Sequence, residues 1–158
     1  MEAVRVVWGV GSAETAVASY DAALAEANLH DYNLLPVSSV LPADAVLEAV
    51  GEAPDLGPAG GLLPVVQARV TAHDGEQLTA GLGWVISEDG PGVVYEAAGK
   101  TDEATIHDRI ERGLTGAADL RDWAPVDPTI KTVSASASVE RFTTAIVIAV
   151  YGRPDPIL

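Results

Sequence analysis

Two apolar segments near the middle of the chain, residues 63–72 and 77–87, are separated by only four residues, His73-Asp74-Gly75-Glu76. An Asp-Gly pair between two such segments is a strong signal for the tight turn of a β-hairpin. The strands of a hairpin run antiparallel, whereas parallel neighbours need a long crossover. The hairpin therefore favours a sheet that is at least partly antiparallel.

Apolar residues recur at helical spacing in two places and predict two amphipathic helices. The first covers residues 13 to about 28, with Ser12 as its expected N-cap. The second follows Thr101, the expected cap, and carries Asp102 and Glu103 in its first turn. Its buried stripe is expected to consist of Ile106, Ile110 and Leu114.

Strand patterns account for much of the remaining chain. Besides the hairpin, strands are predicted at residues 4–9, 32–37, 92–97, 129–138 and 142–151. Residues 51–64, rich in glycine and proline, are expected to form a long surface loop. Two helices and six or seven strands, without regular alternation, predict an α+β fold. We expect a layered α/β/β/α sandwich of mostly antiparallel strands, in a single domain over residues 1–158.

Composition narrows the class of protein. The longest apolar run, residues 145–151, has the length of a buried strand rather than of a membrane span. Residues 1–5 lack the basic start and apolar stretch of a signal peptide, so a cytoplasmic protein without membrane attachment is expected. The chain contains no cysteine, which excludes disulfides, thiolate catalysis and thiolate metal sites.

The charge of the chain is strongly acidic. Nine lysines and arginines stand against 23 aspartates and glutamates, a formal net charge of −14. Nucleic acids and anionic membranes are therefore not expected partners, since phosphate binding needs clustered basic residues. Self-repulsion of this size is relieved when salt screens it. An acidic, lysine-poor composition thus indicates a protein adapted to a salt-rich cytoplasm.

One short segment suggests chemistry carried by the backbone itself. Residues 33–42, Asn-Leu-Leu-Pro-Val-Ser-Ser-Val-Leu-Pro, place the adjacent serines Ser38 and Ser39 between apolar residues. A serine hydroxyl can attack the carbonyl of the preceding residue and replace the peptide bond by an ester. β-Elimination of that ester breaks the chain and leaves a pyruvoyl group on the new N-terminus. Most Ser-Ser pairs are inert strand serines, so the surrounding residues decide between the two interpretations.

Those surroundings form a pattern that extends over nearly the whole chain. Its parts occur in this order: Gly9-Val10-Gly11-Ser12, Tyr20-Asp21-Ala22-Ala23-Leu24, Asn33, Ser38-Ser39, Val40-Leu41-Pro42, Gly61-Leu62-Leu63-Pro64, Asp74-Gly75-Glu76 and Glu96-Ala97-Ala98-Gly99-Lys100. Any one part is a weak signal, whereas their order and spacing together are specific. The chain resembles the pyruvoyl-dependent arginine decarboxylases of archaea and some bacteria, in a form expected of haloarchaea.

The resemblance implies self-cleavage between Ser38 and Ser39. A β chain of residues 1–38 would remain with an α chain of residues 39–158, which opens with a pyruvoyl group made from Ser39. That carbonyl would form an imine with the substrate amine and accept electrons as carbon dioxide leaves. The implied carboxy-lyase reaction converts L-arginine to agmatine for polyamine biosynthesis, without metal or pyridoxal phosphate. The implied assembly is a homotrimer with active sites between protomers.

Three further site residues follow from the resemblance. Glu96 matches the glutamate that donates a proton near the imine, a role for which burial must raise the pKa of a carboxyl. Asn33 matches an active-site asparagine, whose amide can hold a carbonyl or carboxylate oxygen in cleavage, in substrate binding or in both. Asp21 matches an aspartate of the first helix, where a carboxylate suits a guanidinium. Ordinary surface roles remain the alternative for each: a solvated strand-end glutamate, a strand cap and a helix-edge charge.

Chain length adds one inference about assembly. Ser39 follows Asn33 by six positions, a stretch that spans about 20 Å if extended. Both reach one small substrate only if the chain bends sharply or neighbouring subunits share a site. The chain departs from some relatives at Pro36, which replaces a basic residue and removes a backbone donor. Ala97 and Ala98 are further departures, and neither touches the expected chemistry directly.

Other candidate sites are weaker. The three histidines, His30, His73 and His107, lack ligand spacing and predict surface positions with no metal site. The glycines at residues 9–11 lack the remainder of a phosphate-binding motif. Trp8, Trp84 and Trp123 are expected in core or interface packing. Two other functions stay open: the same chemistry on a different amino acid, and an unprocessed trimer that binds a cationic metabolite without turnover.

Overall fold

A computed structural model describes residues 3–124 and 127–158 of the chain. The part of the signal-peptide expectation that concerns Met1 and Glu2 lies outside the described residues. The secondary structure consists, in chain order, of β1 (Val4–Ala13), α1 (Ala16–Glu26), β2 (Asn33–Pro36), β3 (Val40–Leu41), β4 (Leu47–Gly51), β5 (Leu62–His73), β6 (Gln77–Ile86), β7 (Gly92–Gly99), α2 (Glu103–Leu120), β8 (Thr129–Ser136) and β9 (Phe142–Tyr151). None of the described helices is long and apolar enough to cross a membrane.

The strands form two sheets that pack face to face between two helices. The first sheet has the order β2-β5-β9-β1-β4 and the second the order β3-β7-β6-β8. A buried apolar cluster, with Val6, Leu82 and Val147 among its members, fills the space between the sheets. Helix α1 covers the outer face of the first sheet, and α2 covers that of the second. The expected α/β/β/α sandwich is confirmed.

Most strand pairs are antiparallel, as expected. The predicted hairpin is wrong. β5 and β6 are joined by the expected tight turn, but the turn carries the chain from one sheet to the other, where β5 pairs with β2 and β9 and β6 pairs with β7 and β8. β1 pairs with β9 over ten residues, from Val4 opposite Tyr151 to Ala13 opposite Phe142. Two pairs are parallel: β1 with β4, and β2 with β5. Both involve short edge strands, so the sheet interiors remain antiparallel.

Both helix caps differ from the sequence prediction. Ser12 does not cap α1, because β1 continues through Ala13; the cap is Thr15, whose hydroxyl accepts a hydrogen bond from the Ala18 amide. Thr101 does not cap α2 either. The Asp102 carboxylate accepts from the Thr105 amide at 2.8 Å, and hydrogen bonds from Thr105 lower the pKa of Asp102.

The strand prediction was incomplete at the short elements. The strand expected at residues 32–37 is shorter, Asn33–Pro36, and two strands, β3 and β4, were not expected, so that the described residues form nine strands. Residues 52–61 form the expected surface loop between β4 and β5. Ile106, Ile110 and Leu114 are buried as predicted. Of the tryptophans, Trp84 lies in the cluster between the sheets and Trp8 packs in part against that cluster, whereas Trp123 packs in part against the cluster beneath α2.

Candidate active site

The Ser38–Ser39 peptide lies where the chain leaves the first sheet for the second. Residues 37–39 follow β2 and precede β3, outside either strand. Ser39 has φ of 69°, in the left-handed region, which costs an L-residue about 1–2 kcal/mol. Its carbonyl oxygen accepts a hydrogen bond of 2.8 Å from the Val94 amide of β7. The fold therefore holds the serine pair in a strained turn at the edge of the second sheet.

Glu96 faces this turn from β7. The Ser39 hydroxyl donates a hydrogen bond to Oε2 of Glu96 at 3.4 Å. Glu96 was expected at a strand end, but β7 continues to Gly99 and pairs Glu96 with Leu82. Its side chain is exposed in the single chain. This chain by itself therefore does not supply the burial expected of a proton donor.

Two cavities adjoin Glu96. The first, about 290 Å³, is lined by Ser38, Ser39, Glu96 and Arg121, together with neighbouring residues of β7 and α2. The second, about 600 Å³, lies between β2, β5 and β7. Glu96 lines both, so its carboxylate is accessible from the serine pair and from a larger space.

The wall of the larger cavity is organised by Tyr20 of α1. Its hydroxyl donates to Oε1 of Gln67 at 2.7 Å. The guanidinium carbon of Arg69 lies 4.4 Å from the centre of the Tyr20 ring, a cation–π distance. These contacts place a polar and a cationic side chain in the space next to Glu96.

Tyr151, at the end of β9, also reaches this region. Its hydroxyl donates a hydrogen bond of 3.2 Å to the carbonyl oxygen of Val40, the residue after Ser39. Burial, and to a smaller extent the negative charge of Glu96, raises the pKa of Tyr151 to about 12. The phenol therefore keeps its hydrogen to donate to a higher pH than an ordinary tyrosine does.

Asn33 lies apart from the serine pair. Its side-chain amide donates to the carbonyl oxygen of Gly60 at 2.8 Å. It lines a separate cavity of about 460 Å³, formed with the 58–61 loop and residues 154–158. Ser39 lines a different cavity, the one of about 290 Å³ that it shares with Glu96. A single protomer does not bring these two predicted site residues to one place.

Comparison with known proteins identifies the family of the chain. The model of the pyruvoyl-dependent arginine decarboxylase family matches residues 3–156. The chain belongs to this family. It is 47% identical to a pyruvoyl-dependent arginine decarboxylase of Halobacterium salinarum over 157 residues, which cover 99% of this chain and 98% of the relative. It is 33% identical to that of Pyrococcus horikoshii, with 89% and 87% covered.

In this member of the family, Asp21 is an exposed residue of α1. Its carboxylate makes no hydrogen bond or ion pair with any described residue, and Asp21 lines none of the cavities above. The structure therefore leaves its carboxylate available to a ligand or to another subunit.

The three histidines are all exposed, and each lies near a carboxylate. Within residues 3–124 and 127–158, no group of three or more histidines and acidic residues is arranged to hold a metal ion.

Two neighbours of the serine pair were not predicted from the sequence. Arg121 follows α2, and its guanidinium donates to the Ala117 carbonyl at 3.0 Å while it lines the cavity of Ser38 and Ser39. Tyr151 ends an apolar segment whose sequence predicts a buried strand of the core. The only sequence signal for it is one polar hydroxyl at the end of an otherwise apolar run.

Proposed function

We propose that this protein is a self-processing pyruvoyl-dependent arginine decarboxylase, which converts L-arginine to agmatine and carbon dioxide. The observation that carries the proposal is the serine pair itself. In a chain of this family, Ser39 is held in a left-handed turn with its hydroxyl 3.4 Å from Glu96. Strained backbone conformations cluster at active sites, and among the six described non-glycine residues at positive φ, Ser39 is the one that belongs to the serine pair.

Self-cleavage requires only Ser39, the preceding peptide and water. The Ser39 hydroxyl oxygen bonds to the carbonyl carbon of Ser38, the C–N bond breaks, and the hydroxyl proton goes to the freed amine. Transfer of the Ser39 Cα proton to water then forms the Cα–Cβ double bond, breaks the Cβ–O bond and releases Ser38 as a carboxylate. The remaining enamine tautomerises, and water replaces its nitrogen, releasing ammonia. Among the described residues, none donates a hydrogen bond to the Ser38 carbonyl oxygen, so the carbonyl is not locked in a ladder.

The residues around Ser39 fit a pyruvoyl group at this position. The Val94 amide would hold the carbonyl of residue 39, and the adjoining cavity gives a substrate access to it. When present, the group supplies an electrophilic carbonyl that captures the substrate amine and takes up electrons as carbon dioxide is lost. The chain's own task is to bind the substrate, orient its carboxylate and return a proton to the α-carbon.

Glu96 is the residue we assign to that proton transfer. It lines the cavity of Ser39 as well as the larger cavity beside it. A carboxyl donates a proton near neutral pH when a neighbouring surface removes it from water. Glu96 is exposed in the single chain, so a second protomer has to provide that surface.

We therefore also propose a homotrimer with shared active sites. Apolar side chains flank the serine pair on both sides, with Leu35 44% exposed and Val40 50% exposed. Asn33 and Ser39 line different cavities, so contacts between protomers are the direct way to join them. Asp21, which no described residue pairs, is assigned to the substrate guanidinium. The acidic composition supports a salt-rich cytoplasm as the place of the reaction.

Intact-mass analysis under denaturing conditions tests the proposal on protein kept in concentrated salt. We expect two fragments, residues 1–38 and 39–158, with the larger one reactive toward a carbonyl probe, and release of agmatine from arginine. Ser39→Ala is the control and should remain intact. A full-length wild type that persists in salt overturns the proposal and favours a binding protein without turnover. If the protein cleaves itself but decarboxylates a different amino acid in a substrate panel, the proposed cofactor stands and only the assignment of arginine as substrate is overturned.

A further inference from the structure

Tyr151 links the two sheets next to the proposed cleavage site. Its backbone lies in the first sheet, where it pairs with Val4 of β1. Its hydroxyl reaches the second sheet and donates to the carbonyl oxygen of Val40 at 3.2 Å. The acceptor belongs to the residue that directly follows the nucleophile.

The segment that receives this hydrogen bond has few other anchors. β3 contains only Val40 and Leu41, lies at the edge of the second sheet and pairs with β7 alone. Ser39, just before it, keeps its positive φ without the help of a long ladder. The Val94 amide fixes the carbonyl of residue 39, and Tyr151 fixes the next one. Two successive carbonyls are thus held from two different strands.

We propose that Tyr151 is a positioning residue for self-cleavage, which acts through Val40 and keeps Ser39 in its left-handed turn. The inference rests on the proposed function, because it concerns the rate of the same cleavage. Attack on the Ser38 carbonyl needs the Ser39 hydroxyl close to that carbon and aligned with it. If φ of Ser39 relaxes to the β region, the hydroxyl moves out of this alignment.

The loss of one hydrogen bond is large enough to change the conformation of Ser39. The net contribution of a single hydrogen bond and the penalty of a single left-handed residue are of the same order. Loss of the Tyr151 hydroxyl therefore shifts the turn substantially toward the relaxed form, and we expect cleavage to slow by about tenfold.

Tyr32 provides a matched control within the same chain. Its hydroxyl also donates to a backbone carbonyl, that of Gly57, at 3.2 Å, and it accepts a further bond from the Leu56 amide. Tyr32→Phe removes at least as many hydrogen bonds as Tyr151→Phe, from a loop away from Ser39. Each substitution removes one oxygen atom and no apolar surface, so both variants are expected to fold.

The experiment follows the cleaved fraction of wild type, Tyr151→Phe and Tyr32→Phe by intact mass after a pulse of synthesis, with urea unfolding of each. Tyr151→Phe should cleave about tenfold more slowly, while Tyr32→Phe should cleave at the wild-type rate. Added salt that restores the urea midpoint of Tyr151→Phe should not restore its cleavage rate.

Three results overturn the inference. If Tyr151→Phe cleaves at the wild-type rate, the hydroxyl has no positioning role, and the proposed function is unaffected. If Tyr151→Phe and Tyr32→Phe cleave equally slowly, or if salt restores the cleavage rate of Tyr151→Phe together with its urea midpoint, the effect is one of general destabilisation. A wild type that never cleaves overturns the proposed function and this inference with it.

Discussion

The hydroxyl of Ser39 and the carboxylate of Glu96 lie 3.4 Å apart, although 57 positions separate them in the chain. Ser39 comes from the turn before β3, and Glu96 comes from the middle of β7. The pairing of Val40 with Val93 brings the two segments together. The contact therefore depends on an edge strand of only two residues.

Glu96→Gln should separate self-cleavage from turnover. The amide oxygen of glutamine still accepts a hydrogen bond from Ser39, but the side chain has no carboxyl proton to deliver. We expect cleavage to persist and kcat to fall by about 10²-fold or more. Intact mass and agmatine release measure the two effects separately.

Glu103→Gln is the control for Glu96→Gln, because Glu103 also accepts a hydrogen bond from a hydroxyl, that of Thr132, at 2.8 Å. It should retain both cleavage and turnover. Full turnover by Glu96→Gln would contradict the proton-donor assignment.

Mixed assemblies test whether active sites are shared. Asn33→Ala and Ser39→Ala chains should each be inactive alone. After they are unfolded together and refolded at equal amounts, sites that combine an intact Asn33 with an intact Ser39 should return about a quarter of the wild-type activity. Each variant mixed with itself serves as the control. Absence of recovery in trimers of confirmed mixed composition would place both residues in a site formed by one chain.

Asp21→Asn should weaken binding of the substrate guanidinium. The substitution keeps the shape of the side chain and removes its charge, and charge-assisted hydrogen bonds are about twice as strong as neutral ones. We expect KM for arginine to rise about tenfold with cleavage unchanged. Glu26→Gln, at an exposed position on the same helix, should leave KM unaltered. An unchanged KM in Asp21→Asn would move guanidinium recognition to another residue.

The phenol of Tyr151 predicts a loss of stability at alkaline pH. Its ordinary pKa is 10.0, and the folded protein raises it to about 12. Between these values the unfolded chain releases the proton while the folded protein retains it, so the free energy of unfolding falls as pH rises through this window. Below pH 10 the phenol is protonated in both states and contributes no pH dependence.

Urea unfolding at several pH values measures this effect. The wild type should lose stability between pH 10 and 12 more steeply than Tyr151→Phe, and the absorbance of the phenolate should show one fewer late-titrating tyrosine in the variant. Parallel profiles for the two proteins would show that this phenol titrates equally in both states.

The larger elements could be predicted from the sequence because their signals are local. The buried stripe of Ile106, Ile110 and Leu114 follows from helical spacing, and the turn at Asp74 and Gly75 from its residue types. The sandwich follows because amphipathic helices and mostly antiparallel strands must cover one another. The serine pair was recognised as a candidate site from its chemistry and its place in a longer pattern.

The remaining features depend on contacts between distant residues. β3 is too short for a periodic signal and exists because β7 pairs with it. Ser12 has the residue type of an N-cap, yet it remains in β1, where Gly11 lets the strand approach the backbone of Ala22 and Ala23 closely. Tyr151 is linked to Val40 across 111 positions, which no local pattern records.

The ten-residue pairing of β1 with β9 determines what the proposed break after Ser38 does to the folded protein. β1 lies inside the first sheet, between β9 and β4, and would belong to the short fragment. Removing it would expose Val6 and Val7 and open a gap between two strands of the long fragment. The two pieces should therefore stay joined as one folded body until a denaturant separates them. Native mass and gel filtration would register an uncut protein, while the new end at residue 39 gains freedom of movement that an intact backbone denies it.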